Sequence, residues 1–383
     1  NKNGPLKGLI VIDLTRVLAG PYASMILSDL GARIIKVEPP LGDDSREFSP
    51  FINNQSAYFA SLNREKESIK LDLKSEKDKL IFEELIKNAD VLLENYKPGT
   101  MEKLGYGYKS LNKKYPNLIY ASCSGFGQTG PWASKPAYDM IVQGMGGLMS
   151  VTGHDGQEPV RVGTSIGDIT AGLFTTIGIL ASLIDKNKHG NGQAIDVSML
   201  DCQIAILENA IARYFATGEN PPPGGSRHPA IAPFECYRCK DGYIVMACGN
   251  NAMFERMCKA INKPELIEDE RFKTNPKRVE NVIALKHELE NLFMTKTSNL
   301  WIEILEKENI PIGPLNNIQE AVNSEQIKAR NMIVNIEDDN FNNFYVAGNP
   351  IKMSLHNDPK SRQKAPELDE HRLKLLKEFK IKE

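Results

Sequence analysis

A chain of 383 residues, 41% hydrophobic and 25% charged, can bury a sizeable core and exceeds the usual size of one domain, so two domains are expected. The formal charge of −2 leaves no basic excess to neutralise a phosphate backbone, which argues against a nucleic-acid partner and for a small one. No apolar run is read as long enough to span a bilayer, and the opening Asn1–Leu9 lacks a signal-peptide core. The expected setting is cytoplasmic, with no membrane contact.

Leu9–Leu14 reads as a strand. Pro21 suits the first turn of a helix that Gly31 should stop, just before a second strand at Arg33–Glu38. A helix near Glu76–Asn88 and strands at Val91–Glu94 and Leu118–Ser122 follow. This alternation predicts an α/β fold, with a Rossmann-like large domain built on a parallel sheet covered by helices. The first turn, Thr15-Arg16-Val17-Leu18-Ala19-Gly20-Pro21, has neither GxGxxG nor GxxxxGK[ST], so the usual phosphate loops are missing.

Gly163–Leu183 reads as a buried helix, followed by a strand at Ala194–Ser198. Asp168 carries the only charge between Thr164 and Ile184. Such a carboxylate is costly unless it is hydrogen-bonded or used, and two readings stand: a helix N-cap or a functional group. Gly218–Pro233 holds five prolines and three glycines and marks a linker. Beyond it lie a hairpin-like pair at Phe234–Cys239 and Tyr243–Ala247, polar helices to about Pro311, a short strand near Phe344–Val346 and a charged helix at Pro366–Phe379. That last helix is expected to pack back on the first domain. The six cysteines read as buried free thiols. Cys236 and Cys239 form a CxxC with no second pair at zinc spacing, so no metal site is expected.

Several motifs occur together: Gly31, Arg33 and Lys36-Val37-Glu38-Pro39; Asn63-Arg64 before Ser68-Ile69-Lys70-Leu71-Asp72-Leu73; Ala89-Asp90 through Asn95-Tyr96-Lys97-Pro98-Gly99; Ser124-Gly125-Phe126-Gly127; and Gly163–Gly172. Together they resemble the class III CoA-transferase (CaiB/BaiF) family, over nearly the whole chain. The resemblance implies a transferase that moves CoA from an acyl-CoA to a carboxylic acid. Asp168 would be its nucleophile, passing through an aspartyl anhydride and an aspartyl-CoA thioester. Coenzyme A would be a substrate, with no permanently bound cofactor. The partners implied are acyl-CoA, a small carboxylic acid and a second copy of the chain, in an interlocked ring-like dimer.

By the same resemblance Tyr138, Asp139, Tyr58 and the glycines Gly224 and Gly225 join the catalytic site. Val17, Leu18, Ala19, Leu71, Lys74, Asn95, Tyr96, Lys97 and Lys103 would surround CoA, with Arg16 and Arg33 as further candidates. The implied domains are a large CoA-binding domain at 1–198, a linker helix and glycine loop at 199–225, a smaller α+β domain at 226–318, and a return to the large domain at 319–383. Related α-methylacyl-CoA racemases carry a histidine where this chain has Tyr138. Racemisation needs opposed acid and base groups, so it is the second reading. A CoA-binding protein without turnover is the third. Leu18 and Pro39 depart from the pattern of formyl-CoA transferases, which argues against oxalate as acceptor. Arg227 or His228 could read a second carboxylate on the acceptor, or could only shape the linker.

Overall fold

The computed structural model describes residues 3–338 and 343–381. Its centre is a six-stranded parallel sheet of β1 (Ile10–Asp13), β2 (Arg33–Glu38), β3 (Glu67–Lys70), β4 (Val91–Glu94), β5 (Ile119–Ser124) and β6 (Ala194–Ser198). The spatial order is β3-β2-β1-β4-β5-β6, in register from Val11 opposite Ile34 and Val91. The chain builds outward from β1 in one direction and then restarts on its other side with β4. The strand order therefore reverses between β1 and β4, and the carboxyl ends of such a pair are where α/β proteins of this topology hold ligands.

Alternation along the strands divides the side chains between two faces. Ile12, Ile35 and Leu92 pack with Phe82 and Leu85 of the helix Glu76–Lys87, and with Leu375 and Leu376 of the terminal helix Arg372–Glu378. The expected return of that terminal segment is thus found. Val11, Ile34, Val91, Leu93 and Ala121 face the other way, onto Ala23 and Leu27 of α1 (Ala19–Asp29) and Ile179 of α2 (Ile166–His189).

Two sequence expectations need correction. The helix predicted to end at Leu183 runs on to His189, where Gly190 closes it in the left-handed region at φ 84°. At 24 residues, α2 is long and apolar enough to cross a bilayer by length and composition, contrary to the reading that no segment is. Its inner side nevertheless packs on α1 and the sheet, with Ala171, Thr175 and Ile179 at 0% exposure. Gly172 makes that packing close, since a Cβ there would lie 2.7 Å from the Ala19 carbonyl oxygen.

The contacts divide the chain into two compact units. The first is Asn1–Met149, Arg161–Glu219 and Glu325–Glu383, and the second is Ser150–Val160 with Asn220–Ser324. The sequence reading placed Ser150–Val160 in the large domain, but this excursion pairs with the glycine loop through a bridge between His154 and Gly224. The second unit holds the antiparallel strands Phe234–Cys239, Gly242–Ala247 and Ile312–Pro314. Its core includes Phe254, Phe272, Phe293 and Trp301. Cys236 and Cys239 are three apart on one strand and so face opposite sides, with only Cys239 buried.

Candidate active site

Asp168 is the third residue of α2, and the N-cap position belongs to Ser165. The carboxylate therefore caps nothing, and no hydrogen bond reaches it among the described residues. The cap of this helix comes from elsewhere: Asp139 Oδ1 accepts the Gly167 N–H at 2.7 Å. Asp139 opens the helix Asp139–Met145 and is itself buried. Gly167 has to be glycine, because a Cβ there would lie 2.8 Å from Val142 Cγ2 and 2.9 Å from Asp139 Oδ1. Two carboxylates are thereby held side by side. Burial first, and the Asp139 charge second, push the Asp168 carboxyl from its ordinary 3.8 up to about 7.

Tyr58 belongs to the same neighbourhood. Burial, then the negative charges of Asp168, Asp43 and Asp139, push its hydroxyl up to about 12. Its ring meets Phe48 edge-on at 5.5 Å. Tyr138 stands immediately before Asp139 with its side chain 75% exposed. Asp168, Asp139, Tyr58 and Tyr138 all lie in the first unit. Gly224 and Gly225 belong to the second, where Gly225 N–H donates to the Gly153 carbonyl at 2.7 Å. Arg227 and His228 are there too; Arg227 pairs with buried Glu235 at 3.5 Å, and His228 stacks on Phe234.

The turn after β1 is built with unusual care. Val17 sits at φ 68°, a region that a β-branched residue enters only when its surroundings force it. Two clamps do so. Asn95 Oδ1 accepts Arg16 N–H at 3.0 Å while Asn95 Nδ2 donates to the Arg16 carbonyl at 2.8 Å. Asp43 Oδ1 accepts Val17 N–H at 3.1 Å. The Arg16 guanidinium lies 5.7 Å from the centre of the Tyr96 ring. Arg16, Val17, Asn95 and Tyr96 thus meet at the carboxyl ends of β1 and β4, beside the reversal of strand order.

The remaining residues named for CoA are placed unequally. Leu18, Ala19 and Leu71 are buried, Leu71 within the core beneath the sheet, so Leu71 offers packing in place of a ligand surface. Lys74, Lys97 and Lys103 are exposed. Arg33 does not lie at the carboxyl ends of the strands. It starts β2, at the opposite end of the sheet, where it pairs with Glu67 and Glu378.

Sequence reasoning passed over a buried ionic cluster beneath the turn. Lys36 Nζ contacts Asp43 Oδ2 at 2.8 Å and donates to the Thr15 carbonyl at 2.7 Å. Lys66 Nζ reaches Ser24 Oγ at 2.8 Å, Asn63 Oδ1 at 2.9 Å and Asp13 Oδ2 at 3.4 Å. Lys36, Lys66 and Asp13 have no exposed side-chain surface. A lysine inside the apolar run Arg33–Glu38 was the available signal for this cluster.

Against this geometry, the sequence matches CoA-transferase family III over residues 6–372. The chain belongs to that family. It is 47% identical over 378 residues to an acetyl-CoA:oxalate CoA-transferase of Acetobacter aceti, covering 98% of this chain and 96% of the relative. It is 37% identical over 380 residues to the succinyl-CoA:glutarate CoA-transferase of Homo sapiens, covering 99% and 86%. A crystal structure of a CAIB/BAIF family protein from Brucella suis superposes with TM-score 0.88 at 38% identity, covering 99% of this chain and all of that one. This family III CoA-transferase is therefore an enzyme acting on CoA thioesters.

Proposed function

We propose that this enzyme moves CoA from an acyl-CoA to a dicarboxylic acid by covalent catalysis on Asp168. The observation that carries the reading is the Asp168–Asp139 pair: a carboxylate with no hydrogen-bond partner among the described residues, held on a helix that another carboxylate caps. The Asp168 carboxylate attacks the thioester carbonyl, giving a mixed anhydride and CoA thiolate. The thiolate attacks the aspartyl carbonyl, releasing the donor's acid and leaving an aspartyl-CoA thioester. The acceptor carboxylate attacks that thioester and frees the thiolate again. Finally the thiolate attacks the acceptor's acyl carbon, forming the new acyl-CoA and restoring Asp168. Anhydride and thioester are similarly activated, so little free energy is lost and no proton is consumed.

The dicarboxylate assignment rests on relatives named for oxalate and glutarate. The name of the Acetobacter aceti relative also supports oxalate as a candidate acceptor, against the expectation drawn from Leu18 and Pro39. The Arg16–Val17 turn and Asn95-Tyr96 would take CoA at the sheet's carboxyl edge. Two copies would form the interlocked dimer, covering apolar side chains such as Ile177, Ile184 and Phe215, which are 58%, 59% and 80% exposed. Acetyl-CoA and succinyl-CoA assayed against a panel of mono- and dicarboxylic acids test the reading. CoA exchange with a dicarboxylate is expected, and no exchange with any acid would refute it.

Two further results are expected. Because attack needs ionised Asp168, kcat/KM for acyl-CoA should rise with pH and level off above about 7. Asp139→Asn keeps an acceptor for Gly167 N–H but removes the neighbouring charge, so this limb should move about one unit lower. An unchanged limb would disconnect the two carboxylates. Asn95→Ala releases the Arg16 backbone from two hydrogen bonds, worth about 1 kcal/mol each. The acyl-CoA KM should rise about tenfold with kcat changed far less, as initial rates over a range of acyl-CoA concentrations would reveal.

A further inference from the structure

Gln143 is fully buried, and both ends of its amide are engaged. Nε2 donates to Asp139 Oδ2 at 2.8 Å, and Oε1 accepts Val162 N–H at 3.0 Å. Asp139 is its neighbour one helical turn earlier, while Val162 lies in the irregular segment that leads into the helix carrying Asp168. The other Asp139 oxygen accepts Gly167 N–H. One side chain therefore ties together the start of the helix Asp139–Met145, the segment entering α2 and, through Asp139, the backbone next to Asp168. A carboxylate has two oxygens and needs both fixed to hold one orientation. Gly167 fixes one and Gln143 fixes the other.

We propose that Gln143 is a positioning residue for the transfer reaction, locking the Asp139 carboxylate and the entry to α2 in one arrangement and so aiming Asp168 at the thioester. The inference rests on the reading of Asp168 as nucleophile and adds a residue that never touches the substrate. Gln143 is chemically suited to the task. A carboxamide presents a donor to the carboxylate and an acceptor to the backbone N–H, whereas an ionised glutamate in the same place would present acceptors only. The charged and titratable groups around this point are Asp139, Asp168, Tyr58, whose hydroxyl the Asp168 charge pushes up, and the exposed Arg161, which donates to the carbonyls of Val162 and Gly163.

Two variants test this, each read per mole of Asp168 that acyl-CoA and hydroxylamine convert to the hydroxamate in an extended incubation. Gln143→Met keeps the volume and removes both hydrogen bonds. Its kcat should fall about 10- to 100-fold, the usual consequence of a small misplacement of a reacting group, with the acyl-CoA KM within about threefold. Gln143→Glu is the rescue. Protonated, the new carboxyl supplies an O–H to Asp139 and a carbonyl to Val162; ionised, it repels Asp139. Burial beside a carboxylate raises its pKa, so this variant should work best near neutrality and lose activity along a descending alkaline limb that the wild type lacks. Wild-type kcat in Gln143→Met, or the same alkaline profile in Gln143→Glu and wild type, would overturn the positioning role while leaving the Asp168 reading intact. Failure of the wild type to label at Asp168 would overturn both.

Discussion

Replacing Asp168 with asparagine should reduce CoA exchange by at least about 10³-fold and at the same time make the protein more stable above neutral pH. Both effects come from the same burial. The folded carboxyl titrates at about 7, whereas its ordinary value is 3.8. Between those values the folded chain keeps a proton that the unfolded chain has released. Stability therefore falls as pH rises through this window, and above about 7 the whole cost is present. At 1.36 kcal/mol per unit the cost is at most about 4 kcal/mol, lessened by the water that reaches this half-buried group. Asparagine carries no charge and avoids it. Urea unfolding of the two proteins should give a clear gap at pH 8 that closes near pH 4. Equal stability at pH 8 would mean that Asp168 is comfortably solvated, and substantial exchange activity in the variant would remove it from the chemistry.

A second large effect is expected in the opposite direction, at a residue that touches no substrate. Asp13 closes β1 with no exposed surface and accepts hydrogen bonds from Thr15 N–H, Thr15 Oγ1 and Ser24 Oγ. Burial pushes its carboxyl up, but the ammonium groups of Lys66 and Lys36 and the two hydroxyls outweigh that and hold it below its ordinary value. Asp13→Ala leaves the buried Lys66 ammonium without its carboxylate partner, while Lys36 keeps Asp43, a change that costs about 3–5 kcal/mol. The denaturant midpoint should fall accordingly. A control is available close by: Asp44 pairs with Arg16 at 3.2 Å but is 59% exposed, so Asp44→Ala should cost less than about 1 kcal/mol. Asp13 titrates below its ordinary value, so its contribution is complete above the unfolded pKa. It is lost as pH falls through the folded one, and the gap between wild type and Asp13→Ala should narrow in acid. A loss below 1 kcal/mol at pH 7 would show that the cluster is not what holds the turn.

What the sequence made legible follows from what is local. Strands such as Val91–Glu94 and Phe234–Cys239 have the predicted bounds because apolar runs and turn residues are neighbours in the chain. The charge of Asp168 stood out because nothing around it is charged. Reading it as a helix cap failed for a non-local reason: the cap comes from Asp139, 28 residues before the Gly167 N–H that it accepts. Gln143 was invisible for the same reason, since its two partners meet only after the helix Asp139–Met145 has docked beside α2. Arg33 misled because its motif neighbours, Lys36 and Glu38, do lie toward the sheet's carboxyl edge. Its own place at the start of β2 sends it to the far end, where Glu67 and Glu378 take it. The burial of Lys36 and Lys66 was not legible from residue type, because lysine is mostly exposed. Only the register that sets Lys36 beside Asp13 reveals what they do.

Covalent catalysis on Asp168 can be tested directly by incubating the enzyme with acyl-CoA and hydroxylamine and sequencing the peptide around Gly167 by mass spectrometry. The account predicts a hydroxamate on Asp168, formed by capture of the aspartyl thioester, absent without acyl-CoA and absent from Asp168→Asn. An unmodified Asp168 in enzyme that is turning over acyl-CoA would contradict it.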